Sequence, residues 1–262
     1  MSPAGSAELL ARLVELLRAE PLVLGAWLYG SHGRGEADAY SDLDVWVVTE
    51  DVDALLARWP ALAQGLGPLA LFEPLRRITG FRHIFPDWSG LDVWISPVRD
   101  LGDRDAENVR LLLDRGGLAA RLPSGRPEPG PDVDKAAGLT GEFLRLLGQL
   151  PAVLARGDVL YGMSLAQVLR LQLIELMLCD LGLADPGGSG HSYRRLPADR
   201  RAALLRLPVI GNDLDSVRDA QLACAGLFVP LARQLCRERF PQPMYQALAG
   251  WLERELGARL PE

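Results

Sequence analysis

Between Leu28 and Val48 the chain gathers residues able to do chemistry. It reads Leu28-Tyr29-Gly30-Ser31-His32-Gly33-Arg34-Gly35, then a polar loop, then Ser41-Asp42-Leu43-Asp44-Val45-Trp46-Val47-Val48. Side chains alternate along a strand, so Asp42 and Asp44 project from one face while Leu43, Val45 and Val47 take the other, toward a core. Two carboxylates side by side repel unless a cation lies between them. An oxygen-rich pair suits Mg²⁺, which takes one or two carboxylates together with substrate phosphates. Gly30 permits a tight turn and a close backbone approach, and Ser31 offers a hydroxyl and an amide to a phosphate. Metal ligands and a phosphate cradle one loop apart meet the needs of phosphoryl or nucleotidyl transfer.

A third acid, Asp92, stands in Leu91-Asp92-Val93-Trp94-Ile95, alone on an apolar strand. Burying a lone aspartate is costly without a partner. If that strand lies beside the Asp42/Asp44 strand, all three acids converge, and Asp92 is then a metal ligand, a proton acceptor for an attacking hydroxyl, or both. Arg34 is a candidate to steer a triphosphate and His32 to touch a nucleotide, although both also read as solvated loop residues. Ser41 is a candidate phosphate contact or ordinary turn chemistry.

The elements that must position these residues follow from periodicity. Ala7 to Ala19 carries apolar residues at helical spacing and stops before Pro21. Leu22 to Tyr29 and Leu43 to Thr49 read as strands, separated by a Gly-rich loop from Gly30 to Ser41. Asp51 to Trp59 fits a helix with Asp51 or Asp53 at its start. Ile78 to Phe85 and Leu91 to Ser96 read as strands of a hairpin closed by Pro86-Asp87-Trp88-Ser89-Gly90. Asn108 to Leu113 is expected to belong to a helix closing this half.

Composition then changes. The stretch from Pro123 to Pro131 is rich in Pro and Gly and is the linker candidate. Beyond it strand signals vanish, and Leu139–Leu154, Ser164–Leu181, Asp199–Leu207, Leu214–Phe240 and Met244–Leu256 are helix-like. The expected organisation is an α+β domain over residues 1–122, a linker over 123–133 and an all-α helical bundle over 134–262.

The chain has 262 residues, of which 48% are hydrophobic, enough for a sizeable core. No apolar run is read as reaching the roughly 20 residues of a membrane span, and the N-terminal residues do not read as a signal peptide. Three cysteines, Cys179, Cys224 and Cys236, without metal spacing suggest reduced, buried thiols and a cytoplasmic protein. The formal net charge of −6 argues against a nucleic-acid polymer as partner and suits a cationic small substrate.

Gly30-Ser31 followed by Asp42-x-Asp44 and a later strand acid resembles the nucleotidyltransferase superfamily related to DNA polymerase β. Leu-Tyr-Gly-Ser-x-x-Arg-Gly with Ser-Asp-Leu-Asp is most similar to its antibiotic-modifying and small-protein branch. The helical half resembles the C-terminal domain of aminoglycoside nucleotidyltransferases, particularly the streptomycin 6-adenylyltransferase type. The resemblance implies a mixed sheet with flanking helices and a helical domain that closes over a hydroxylated drug. It implies that Gly30 and Ser31 hold phosphate, that Asp42 and Asp44 bind Mg²⁺, two ions in all, and that Asp92 is third ligand or base. Some members take the base from a helical-domain glutamate instead.

Two candidates lie in the helical half. Glu175, within Leu173-Ile174-Glu175-Leu176-Met177-Leu178, is a possible base or a contact for a substrate amine. It also reads as a glutamate paired with Arg170 or exposed on a stripe. The resemblance also implies a basic residue reaching the nucleotide from the loop around His191-Ser192-Tyr193-Arg194-Arg195, with Arg194 or Arg195 the candidate. The expected activity is transfer of a nucleoside monophosphate, AMP from ATP or another NTP, to a hydroxyl of an aminoglycoside-like antibiotic, with no membrane partner, by a monomer or homodimer. The alternatives are a protein or other metabolite as acceptor, or a non-catalytic antitoxin-like module of the same fold.

Overall fold

The computed structural model describes residues 3–76, 78–124, 130–183 and 189–261. It divides into two compact units, Met1–Pro127 and Glu128–Glu262. The middle of the Pro-rich stretch, 125–129, lies outside the described residues.

In the first unit, helix α1 (Pro3–Ala19) buries Leu9, Leu13 and Leu17, one apolar residue per turn. Strand β1 (Gly25–Tyr29) leads into a single helical turn, α2 (Gly30–Gly33), and after a loop into β2 (Leu43–Thr49). Asp51 caps helix α3 (Val52–Ala63) by accepting from the Ala54 amide at 2.9 Å. Strands β3 (Leu71–Pro74), β4 (Gly80–Ile84), β5 (Gly90–Pro97) and β6 (Arg110–Asp114) complete a six-stranded sheet of order β3-β4-β5-β2-β1-β6. Only β2 and β5 run parallel; the other pairs are antiparallel, so the sheet is mixed.

The expected hairpin is present as β4 and β5, with Asp87 accepting from the Ser89 amide and hydroxyl in its turn. The helix expected over Asn108 to Leu113 is not. From Arg110 onward that segment is β6, an edge strand on β1. Five residues are too few for helical spacing to separate from alternation, and the backbone partner offered by β1 decides. Strand β3 was not anticipated either; its Pro74 is tolerated because the strand is at the sheet edge.

The central strands are covered on both faces. Leu43, Val45 and Val47 face α1 and α3 with Leu55, Trp59 and Leu91. The opposite face carries Trp27, Trp46 and Val48 beneath Leu101, Leu118 and Leu122. Trp27, Trp46 and Trp94 are register partners across β1, β2 and β5 and stack at centroid distances of 5.0 and 5.7 Å. The Trp46 indole donates to Ser96 Oγ at 2.7 Å, so the polar atom of this fully buried side chain is satisfied.

The second unit is built of helices α4 (Val133–Leu147), α5 (Leu150–Arg156), α6 (Val159–Leu181), α7 (Ser189–Arg195), α8 (Ala198–Leu205), α9 (Leu214–Cys236) and α10 (Gln242–Leu256). Phe143 and Phe228 stack at 3.7 Å in its core. The three cysteines are buried and free, and burial pushes the Cys179 thiol up to about 11 and that of Cys224 up to about 12. Against the expectation for apolar runs, α6 is long and apolar enough to cross a membrane by length and composition, with a mean hydropathy of 1.3. Its Leu165, Leu169, Leu173 and Leu176 are buried in the helical core.

Candidate functional site

Sheet register sets two of the three predicted acids side by side. Asp44 is paired with Tyr29 on one side and with Asp92 on the other. Adjacent strands lie about 4.8 Å apart, so the two carboxylates leave neighbouring strands side by side. They stand one row from the Trp27-Trp46-Trp94 layer, at the β1, β2 and β5 ends where the buried row stops and partial exposure begins.

Two glycines let the carboxylates sit where they do. Gly30 has φ +62°, and a Cβ there would strike the Asp44 carboxylate. Gly90 opens β5, and a Cβ there would stand 2.5 Å from Asp42 Oδ1. Asp42 thus lies over the strand that carries Asp92, and Asp44 over the turn that carries Ser31. Ser31 is buried, and its carbonyl accepts from the Glu36 amide at 2.8 Å.

The polar loop has its own internal order. Arg34 Nε donates to Glu36 at 2.9 Å. Ser41 Oγ accepts from the Asp38 amide at 2.9 Å and donates to the Asp38 carboxylate at 3.1 Å, so its hydroxyl fastens the loop entering β2. His32 is held below its ordinary range, first by burial and then by the charge of Arg110, and its Nε2 is buried without a hydrogen-bond partner.

Arg82, not singled out in the sequence, alters the picture. It is the register partner of Asp92 on β4 and binds it bidentately, Nε to Oδ1 at 3.0 Å and Nη2 to Oδ2 at 2.7 Å. Its guanidinium is raised above its ordinary value, first by the Asp92 hydrogen bonds, with Glu73 and Asp42 adding to the effect. Among the described residues no three His, Cys, Asp or Glu side chains are gathered as a metal would need. Asp92 is joined instead to an arginine. Hairpin symmetry about Asp87 was the signal available, because it sets Arg82 opposite Asp92. Beside this pair opens a cleft of about 340 Å³ bordered by Glu73, Arg76, Ile78, Arg82 and Asp92.

The two candidates of the second unit lie on helices, Glu175 on α6 and Arg194 on α7. Glu175 pairs with Lys135 Nζ at 2.8 Å, not with Arg170, which donates to the Pro208 carbonyl at 2.6 Å. Arg194 is exposed on α7, and its carbonyl accepts from Arg201.

A family model described as a nucleotidyltransferase domain matches residues 10–66, which take in the later part of α1, Gly30-Ser31, Asp42 and Asp44. No curated protein matches the chain. Among solved structures, the chain is similar to an aminoglycoside 6-adenyltransferase from Bacillus subtilis, with 14% identity over 94% of this chain and 96% of that one and a TM-score of 0.41. It is also similar to a nucleotidyltransferase-like protein from Exiguobacterium sibiricum 255-15, at 11% identity, 94% and 88% coverage and a TM-score of 0.40.

Proposed function

We propose that this protein transfers a nucleoside monophosphate, AMP from ATP in the favoured case, to a hydroxyl of a small cationic acceptor such as an aminoglycoside. The observation that carries the reading is the pairing of Asp44 with Asp92 on parallel strands, with Gly30 close beneath the Asp44 carboxylate. Gly30 and Ser31 would hold triphosphate oxygens through backbone amides and a hydroxyl. The acceptor oxygen forms a bond to the α-phosphorus while the bond to the bridging oxygen of the leaving pyrophosphate breaks. A carboxylate takes the acceptor's proton, with Asp92 the first candidate and Glu175 the second.

The donor set fits a hard divalent cation at Asp42 and Asp44, whose carboxylates lie over glycines with no side chain interposed. Mg²⁺ bound there would neutralise charge on the phosphate oxygens. Asp92 joins as third ligand or base once Arg82 releases one of its oxygens. Buried, free thiols suit a cytoplasmic setting.

One observation favours a second reading. The engagement of Asp92 by Arg82 would also suit a non-catalytic module that keeps the fold and binds a partner. Pyrophosphate release with Mg²⁺, each of the four NTPs and a panel of aminoglycosides separates the two. The enzyme reading expects acceptor-dependent release that is lost in Asp42→Asn and Asp44→Asn. Release equal in wild type and both variants would sink it.

A further inference from the structure

Arg104 stands on the sheet face of Asp44 and Asp92, and the reading above leaves it without a task. Its guanidinium carbon lies 4.7 Å from the centre of the Tyr29 ring and 4.6 Å from that of Trp94. Tyr29 is the register partner of Asp44, and Trp94 that of Trp46. The two rings are diagonal neighbours across β2, so a group touching both stands over β2 between Asp44 and Trp46.

Ring faces hold a guanidinium without neutralising it. Among the described residues Arg104 has no ion-pair partner, and its Nε is buried with no hydrogen-bond acceptor. A half-buried charge in that condition is costly and is ordinarily paired. Stacking on the rings leaves the in-plane N–H donors to meet an anion edge-on. Tyr29 leads directly into Gly30 and Ser31, the turn assigned to phosphate.

We propose that Arg104 is a polyphosphate-binding residue, preset by Tyr29 and Trp94 to donate to phosphate oxygens of the NTP and of the pyrophosphate formed from it. This inference rests on the nucleotidyl-transfer reading. A planar fork suits phosphate bidentately, which an ammonium does not. The fixed positive charge also offsets the repulsion between a row of carboxylates and a polyanion.

The test is calorimetric titration of wild type, Arg104→Gln and Arg104→Met with inorganic tripolyphosphate and with ATP, in Mg²⁺. Methionine keeps apolar packing against the two rings and decides the matter should the glutamine variant fail to fold. Loss of a charge-assisted phosphate contact weakens affinity roughly tenfold or more, and KM for the NTP rises while kcat changes less. Variants that fold and bind tripolyphosphate as wild type does would overturn the role of Arg104 alone. A wild type that binds neither tripolyphosphate nor ATP would overturn the inference together with the function it rests on.

Discussion

Arg82 grips both carboxylate oxygens of Asp92 across the β4–β5 pair, in the acid row where a cation is expected. The two side chains are 44% and 27% exposed, so the pair contributes at most about 1 kcal/mol to stability. Its larger consequence is electrostatic. Asp42 and Glu73 also act on this guanidinium, so removing it takes a positive charge from among these carboxylates. Arg82→Gln should therefore remain folded and bind Mn²⁺ more tightly than wild type, measured from the electron paramagnetic signal of unbound Mn²⁺. Equal affinity would mean that Arg82 does not compete for the acids.

Gly30 and Gly90 make a second prediction. Gly30→Ala places a side chain in the left-handed region, costing about 1–2 kcal/mol, and drives it into the Asp44 carboxylate. Gly90→Ala meets Asp42 with ordinary backbone angles, so its effect is on the carboxylate more than on the fold. Urea unfolding should show the larger loss in Gly30→Ala, while Mn²⁺ affinity should fall in both. A Gly90→Ala variant with unchanged Mn²⁺ affinity would remove Asp42 from the proposed cation site.

His83 predicts the response to acid. It is buried, accepts from the Trp59 indole on Nε2 at 3.0 Å, and meets the Leu91 carbonyl through Nδ1 at 2.9 Å. These bonds fix the neutral tautomer with the proton on Nδ1, and burial lowers the imidazole below its ordinary 6.5. The unfolded chain therefore takes up the proton first. The stability from His83 is intact above about 6.5 and is lost as the pH falls from there through the lower folded value. His32, also lowered, acts in the same direction. Urea midpoints should drop between pH 7.5 and 5.5, and His83→Gln, whose amide can keep both bonds, should flatten that slope. A slope unchanged in the variant would contradict the assignment.

How much of this was legible in the sequence varied with the physics involved. Alternation alone put Asp42 and Asp44 on one face and their apolar neighbours on the other, and turn chemistry at Asp87 and Ser89 located the hairpin that brings Asp92 beside Asp44. Edge strands were not legible, because β3 and β6 owe their form to a neighbour's backbone rather than to their own pattern. Arg82 was readable in principle from hairpin symmetry. Arg104 was not, since its place over Tyr29 and Trp94 depends on how the chain after β5 returns across the sheet. Glu175 stood out for its apolar neighbours, but only the packing of α4 against α6 reveals Lys135 as its partner.

The central claim is that the bond broken lies between the α- and β-phosphates. It is tested by incubating the protein, Mg²⁺ and an aminoglycoside panel with ATP labelled either at the α- or at the γ-phosphate. Nucleotidyl transfer predicts α-label on the acceptor and γ-label in pyrophosphate, both abolished by Asp44→Asn. Appearance of γ-label on the acceptor, or no transfer of either label to any acceptor while ATP binds, would contradict it.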